Sequence, residues 1–493
     1  VLPILDIFFG CYCVNSKCLL FYHCYLMEMH GSGRASDIHS ILGNFELIIE
    51  DSTHQRKDIP LSSERIDPEN IGVLGDDDEI SLNSPDDIKS ISTTQKVESS
   101  IASSIFNLSN CIIGSGVLAL PYAFKLSGMG LGLIFLAIIA VTAMYTYDVL
   151  VRSSEYTGAK SYRGVATELF SRKIGYFCEI VVALFTICGL SSYPLIIGDY
   201  ATSIVNEFVS TPGWYSSRAF LLITIAILVF LPLSLAKTID FLKFSSLFAI
   251  ICVVMCVCIV IMYLFRAIDG SVPFGEGEIV WVERGIGVVR AIPLMSMSYT
   301  SHFLILNIYS ELSERSVPRM RKVLVNSAII VTSMYLTMSV AGYSTFRQST
   351  NSNVLNSFPD SDVSAMIGKV GLLITLCFSF PLLQFSLRYS IVEIFWGSET
   401  RISWTTKRII TLGLVFLATI IGIFVADLGV LFSFAGSVFG TTIVFTLPGL
   451  FLIKMSQNDA NGRRIGIFLV IFGITFGIIG LFVTIYDVIT GNT

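Results

Sequence analysis

The sequence predicts an all-α membrane protein of about eleven transmembrane helices, preceded by a disordered acidic N-terminal tail. Three observations predict it. Hydrophobic residues make up 53% of the 493 residues and charged residues only 14%, whereas soluble domains carry about a quarter charged residues. The apolar residues fall in blocks of about twenty or more, the length a helix needs to cross a ~30 Å hydrocarbon core. Lys and Arg alternate in density from loop to loop, as they do when successive loops lie on opposite sides of a membrane. The blocks do not alternate residue by residue, which excludes barrel strands.

The chain opens on an apolar stretch, residues 1–26, with neither a basic lead nor a small-residue cleavage site, so it reads poorly as a signal peptide. Met27 and Met29 are alternative starts, with the preceding residues then an artefact of the gene model. Cys11, Cys13, Cys18 and Cys24 cluster here, but their spacing does not fit paired Cys-x-x-Cys zinc ligands. Residues from about 31 to 97 hold Asp76-Asp77-Asp78-Glu79, many serines and few aromatics. Such a segment has too little apolar surface to offset its ordering entropy. The division is therefore a largely disordered, cytosolic tail over 1–97 and a membrane domain over 98–490.

The apolar blocks run at about 101–124, 128–151, 174–206, 217–236, 239–265, 286–312, 318–346, 363–396, 405–426, 428–455 and 464–489. With the N-terminus inside, the inner loops hold eighteen Lys and Arg and the outer loops and helix ends seven, among them Lys125, Arg218, Arg290 and Lys369. That bias orients the N-terminus inside and the C-terminus outside. A missed or split span would invert the later loops and destroy it.

The first span is interrupted. It reads Asn107-Leu-Ser-Asn110-Cys-Ile-Ile113-Gly114-Ser115-Gly116-Val-Leu-Ala-Leu-Pro121. Two glycines around a serine let a helix unwind, and unwound backbone is tolerated at that depth only where it is buried or lines a cavity. The sixth span repeats the feature with Ile292-Pro293-Leu-Met-Ser296-Met-Ser298-Tyr299-Thr300-Ser301-His302. Spans one and six are equivalent positions in a five-plus-five inverted repeat. Paired interruptions there point to a transporter site, where freed N–H groups hold a carboxylate and freed carbonyls a cation. Helix packing through small residues is the alternative reading.

Other polar residues inside spans are Glu179, Asp199 and His302. A charge at that depth faces a cavity or a partner, although Asp199 can equally sit at the outer interface. Ser379 precedes Pro381, whose missing N–H frees a helix carbonyl. A hydroxyl beside a freed carbonyl suits a hard cation; back-bonding of the serine to its own helix is the alternative. Gly473 and Gly477 read as a helix-packing pair. Tyr147-Asp148 and Gly198-Asp199 resemble the paired aspartates of intramembrane proteases, but one acid lies near the inner end of its span and the other near the outer end. They are on the order of 30 Å apart at 1.5 Å per residue, and Ile196 replaces that motif's first glycine. No HExxH, GxSxG or Walker A motif is present, so an enzyme or an ATP-driven pump is not expected. No basic stretch interleaved with aromatics suggests a nucleic-acid partner.

The stretch Asn107-Leu-Ser-Asn110-x3-Gly114-Ser-Gly116-x4-Pro121-Tyr-Ala-Phe resembles the first-helix motif of the amino acid/auxin permease family, within the amino acid–polyamine–organocation superfamily. So do Ile196-Ile-Gly-Asp199, Pro232-Leu-Ser-Leu, His302 with Ile308-Tyr-Ser-Glu311-Leu, and Phe380-Pro381, in order along residues 97–490. The resemblance is closest to system A and system N sodium-coupled neutral amino acid transporters and to the vacuolar branch.

It implies a leucine-transporter-like core of spans one to ten plus one extra helix. It also implies symport of small neutral amino acids with sodium or protons by alternating access. By the same resemblance, Asn110 and Ser379 take the coupling ion. Ile113, Gly114, Ser115 and Gly116 receive the substrate, with Ser298, Tyr299 and Thr300 opposite. Serine at 379 stands where the sodium-coupled branch has threonine, and Phe303 stands where it often has proline. The membrane is the plasma membrane or a vacuolar or lysosomal type. The expected partners are the amino acid and the bilayer, with no cofactor beyond Na+ or H+. An amino acid sensor signalling through the acidic tail is the competing reading. The sequence does not specify the amino acid, the ion, the membrane, the direction of flux or the oligomeric state.

Overall fold

The computed structural model describes residues 99–209, 213–236, 245–397, 402–425 and 427–491. The N-terminal tail, its alternative starts and the Cys11–Cys24 cluster lie outside the described residues. Regular structure among the described residues is helical, apart from an isolated bridge between Ser99 and Leu312.

The helices in chain order are α1 (Ile101–Ile112), α2 (Leu120–Ser127), α3 (Met129–Thr157), α4 (Tyr162–Leu169), α5 (Arg172–Phe208), α6 (Arg218–Ser234) and α7 (Ser245–Ile268). They continue with α8 (Val288–Ser298), α9 (His302–Glu311), α10 (Val317–Phe346), α11 (Val363–Trp396), α12 (Trp404–Phe424), α13 (Leu428–Met455) and α14 (Ala460–Thr490). Among the described residues, 8 helices are long and apolar enough to cross a membrane: α3, α5, α7 and α10 to α14. The shorter apolar helices α1 and α6 fall short of that length; α6 and the pairs α1–α2 and α8–α9 coincide in sequence with the other three apolar blocks.

Local chemistry sets where these helices begin and end. Ser100, Ser171, Ser217, Asp362, Ser403, Asp427 and Asp459 each accept a backbone N–H from the first turn of the helix that follows, satisfying donors that have no intrahelical partner. Gly158, Gly397 and Gly491 end α3, α11 and α14 in the left-handed conformation that favours glycine.

The bundle forms around two helices. α5 packs on α11, α12, α4 and α6, while α10 packs on α1, α2, α3 and α7. α8 fits between α2, α13 and α14. Large apolar side chains such as Val141, Ile227, Phe416 and Ile478 are exposed, which is stable where the neighbour is lipid rather than water. The Gly473–Gly477 pair does pack helices: a Cβ on Gly473 would lie 2.5 Å from Thr446 Oγ1, and one on Gly477 would lie 2.9 Å from the Ser437 carbonyl oxygen. Only glycine lets α14 approach α13 this closely.

Two cations assigned by sequence to outer loops or helix ends are inside the bundle. Arg290 of α8 is 1% exposed and pairs with Asp487 of α14 at 2.5 Å. Lys369 of α11 is 3% exposed and donates to Ser203 at 2.8 Å and to Asp360 at 3.3 Å. A buried charge needs a partner; Asp487 and Ser203 come from distant parts of the chain that hydropathy does not reveal, while Asp360 lies nine residues before Lys369.

Candidate functional site

The first span unwinds after Ile112. Ile113 closes α1 by donating its N–H to the Ser109 carbonyl at 2.8 Å, with ψ 81. Gly114 is extended at φ −105, ψ −155, and Ser115–Leu118 form a single 3-10 turn. The helix restarts at Leu120 with Pro121 in its first turn, where proline's missing N–H costs nothing. Pro121 therefore marks the restart of the helix, not the break itself. In the sixth span α8 ends at Ser298, residues 299–301 are not helical, and His302 opens α9. Pro293 lies inside α8.

The two breaks touch. Ser298 Oγ donates to the Gly116 carbonyl at 3.3 Å, and Ser301 Oγ donates to the Cys111 carbonyl at 3.0 Å. Gly116 is buried so tightly that a Cβ there would lie 2.7 Å from Ser298 Oγ and 2.9 Å from Ser298 Cα.

Buried carbonyls released by unwinding must find donors, and two tyrosines supply them. The Tyr335 hydroxyl of α10 lies 2.7 Å from the Ile112 carbonyl and 2.9 Å from the Ser298 carbonyl, so one proton ties both breaks. The Tyr147 hydroxyl of α3 donates to the Tyr299 carbonyl at 2.5 Å. The Tyr299 hydroxyl donates to Thr332 at 3.0 Å, and Thr300 Oγ1 is taken by the last turn of α8, donating to the Ser296 carbonyl at 2.7 Å. His302 is fully buried, with Nε2 2.9 Å from Thr146 Oγ1 and Nδ1 without a partner.

Ser115 and Gly114 are placed differently. Ser115 Oγ is 3.2 Å from Ser192 Oγ of α5. A Cβ on Gly114 would meet nothing within 4 Å, so that glycine borders open space. Among the described residues, the backbone N–H groups of Ser115 and Gly116 have no acceptor. Ile113, Gly116, Ser298, Tyr299 and Thr300 are buried.

The structure thus brings Ile113–Gly116 and Ser298–Thr300 into one cluster. Asn110 and Ser379 are half-buried, and no side-chain hydrogen bond joins either to another described residue. Ser379 is not bonded back to its own helix, and α11 continues through Pro381.

The acids inside the spans have their own partners. Asp148 pairs with Arg321 at 2.7 Å and Arg152 at 2.9 Å. Asp199 pairs with Arg218 and accepts from Asn356 at 2.9 Å. They form no acid pair of the protease kind. Asp199 and Arg218 help line a cavity of about 320 Å³ with Asp360 and Lys369, and a second cavity of about 370 Å³ lies between Phe170, Lys454 and Arg463. Neither is lined by a residue of the breaks, which the Gly116–Ser298 contact holds together.

Sequence reasoning missed Tyr147 and Tyr335 as donors, along with Thr146, Ser192 and Thr332. A signal existed for the tyrosines, since a tyrosine in an apolar span needs a partner for its hydroxyl. Which carbonyl it finds depends on helices far apart in the chain.

Residues 97–490 match the family model described as transmembrane amino acid transporter protein. The chain is 26% identical over 388 residues to the sodium-coupled neutral amino acid symporter 2 of Danio rerio, covering 73% of this chain and 76% of that protein. It is 26% identical over 416 residues to the amino acid transporter AVT6E of Arabidopsis thaliana, covering 79% and 84%. Among solved structures, that of MhsT in complex with L-phenylalanine superposes with a TM-score of 0.52 at 14% identity, covering 77% of this chain and 97% of that one. That likeness is one of fold, and it agrees with the leucine-transporter-like architecture expected from the sequence.

Proposed function

The chain belongs to the transmembrane amino acid transporter family, and from that premise we propose that it is a sodium-coupled symporter of small neutral amino acids working by alternating access. The observation that carries this reading is the meeting of the two breaks, with the Ser115 and Gly116 N–H groups unpaired beside the open space at Gly114. Unpaired N–H groups at the start of a helical turn suit a carboxylate. Ile113, Gly114, Ser115 and Gly116 then receive the amino acid backbone, with Ser298, Tyr299 and Thr300 across from them.

Neutral substrates follow from the side chains present. None of these seven residues is charged, so a charged substrate side chain would be buried without a counter-ion. Asn110 and Ser379 bind sodium, since each offers a side-chain oxygen that is not engaged elsewhere and hard cations take oxygen ligands. The likeness to a sodium-coupled neutral amino acid symporter and to a plant amino acid transporter supports this reading.

Alternating access uses the joints of the breaks. The Tyr335 and Tyr147 hydrogen bonds and the Ser298–Gly116 contact hold the halves together, and their exchange for contacts to substrate would let α1 and α9 swing against the bundle. This reading has eleven membrane crossings with the N-terminus in the cytosol, and the bias of Lys and Arg among the loops supports it.

The test is uptake of labelled neutral amino acids into proteoliposomes under an imposed sodium or proton gradient. Sodium-driven accumulation is expected, and Asn110→Ala should abolish its sodium dependence. No accumulation under either gradient would sink the symporter reading; normal sodium dependence in Asn110→Ala would remove that residue from the ion site.

A further inference from the structure

The 370 Å³ cavity lies away from the breaks, where α13 ends and α14 begins. Phe170, Leu450 and Ile453 form its apolar wall, and Lys454, Gln457 and Arg463 its polar rim. The Lys454 ammonium stands 5.9 Å from the centre of the Phe170 ring. Neither Lys454 nor Arg463 has a carboxylate within salt-bridge distance among the described residues. Asp459, between them in sequence, is spent on the helix start, accepting the Asn461 N–H at 3.0 Å. Arg172 and Lys173, close after Phe170 in the chain, are exposed and add to the positive charge at this end.

Below the rim the surface is apolar. Leu450 is one helical turn deeper than Lys454. Ile467, Ile471, Ile474 and Ile478 continue the face of Arg463 along α14, and all are exposed, as the helical repeat dictates. Two uncompensated cations thus crown a hydrocarbon track at the depth where the apolar helices give way to a loop. A soluble anion would use the cations and leave the track unused; a phospholipid uses both.

We propose that this cavity is a binding site for an anionic phospholipid, its phosphate and headgroup between Lys454, Gln457 and Arg463 and an acyl chain along the isoleucine face of α14. Two cations favour an anionic over a zwitterionic headgroup by roughly thirtyfold, at about 1 kcal/mol for each. The site is separate from the breaks and does not depend on what the breaks bind.

The full chain is reconstituted in phosphatidylcholine, alone or mixed with phosphatidylglycerol, and retained lipid and thermal stability are measured by native mass spectrometry and melting. Wild type should retain phosphatidylglycerol preferentially and melt higher in its presence. Lys454→Gln/Arg463→Gln should lose both effects yet melt normally in phosphatidylcholine alone. Lys160→Gln/Lys322→Gln, which removes two exposed cations elsewhere, should keep them. Equal retention of phosphatidylglycerol by wild type and the Lys454/Arg463 variant, or equal loss in the Lys160/Lys322 control, would overturn the proposal. So would full stabilisation by inorganic phosphate in phosphatidylcholine, because the site would then serve free anions.

Discussion

Replacing Gly116 by alanine tests the contact at the centre of the candidate site. The new Cβ would lie 2.7 Å from Ser298 Oγ and 2.9 Å from Ser298 Cα and Cβ. Non-bonded carbons rest at about 3.5–4.0 Å, so the breaks must part by roughly 1 Å. Overpacking of this kind costs about 1–3 kcal/mol. At about 1.4 kcal/mol per factor of ten, the closed arrangement becomes roughly fivefold to a hundredfold less populated. If transport passes through that arrangement, sodium-driven uptake falls by a similar factor while the protein still inserts and purifies. Gly413→Ala is the control: a Cβ there has nothing within 4 Å, and the residue is exposed on α12, away from the breaks, so its uptake should stay within about twofold, matching surface changes of under ~0.5 kcal/mol. Ser298→Gly in the Gly116→Ala background removes the Oγ and Cβ that clash and should restore part of the loss. Uptake by Gly116→Ala equal to wild type, or the same loss in Gly413→Ala as in Gly116→Ala, would refute the reasoning.

Three further outcomes follow from the same geometry. Tyr335→Phe removes the hydroxyl shared by the Ile112 and Ser298 carbonyls; a loss of about 1–3 kcal/mol in melting stability is expected, with reduced uptake, and an unchanged melt would show that water replaces it. Arg290→Met leaves Asp487 buried without its partner, which should cost about 3–5 kcal/mol, whereas Arg290→Met/Asp487→Leu should recover most of it; thermal melts of the single and double variants decide. The hydrogen bond from Ser203 and the nearby Lys369 ammonium hold the Asp360 carboxyl below the usual carboxylate range. A depressed pKa gives stability that is present at neutral pH and is lost as pH falls below about 4, so the melting temperature of Asp360→Asn should drop less than wild type between neutral and acid pH.

The interruptions were legible in the sequence because unwinding is a local matter. Gly114-Ser115-Gly116 and the hydroxyl-rich run to His302 stand out against apolar flanks whatever surrounds them. Their detail was less legible. Pro121 reads as part of the break, yet it restarts the helix at Leu120. Gly116 is also pressed onto Ser298, while Gly114 borders the open space, a difference between the two glycines that the sequence does not show. The sequence does not show how far apart two residues of different helices lie.

The sequence by itself determined that the chain is a bundle of membrane helices, roughly where each begins, and that the first and sixth are broken. Apolar run length, capping side chains and loop charge act over a few residues, and the membrane enforces them. Only the tertiary structure decided which groups satisfy the broken backbone: Tyr335 for both breaks, Tyr147 for the second, Ser298 against Gly116. It likewise decided that Arg290 lies inside the bundle against Asp487. A buried carbonyl or charge must be paired, but its own sequence does not say with what, because the partner is set by which helices pack together.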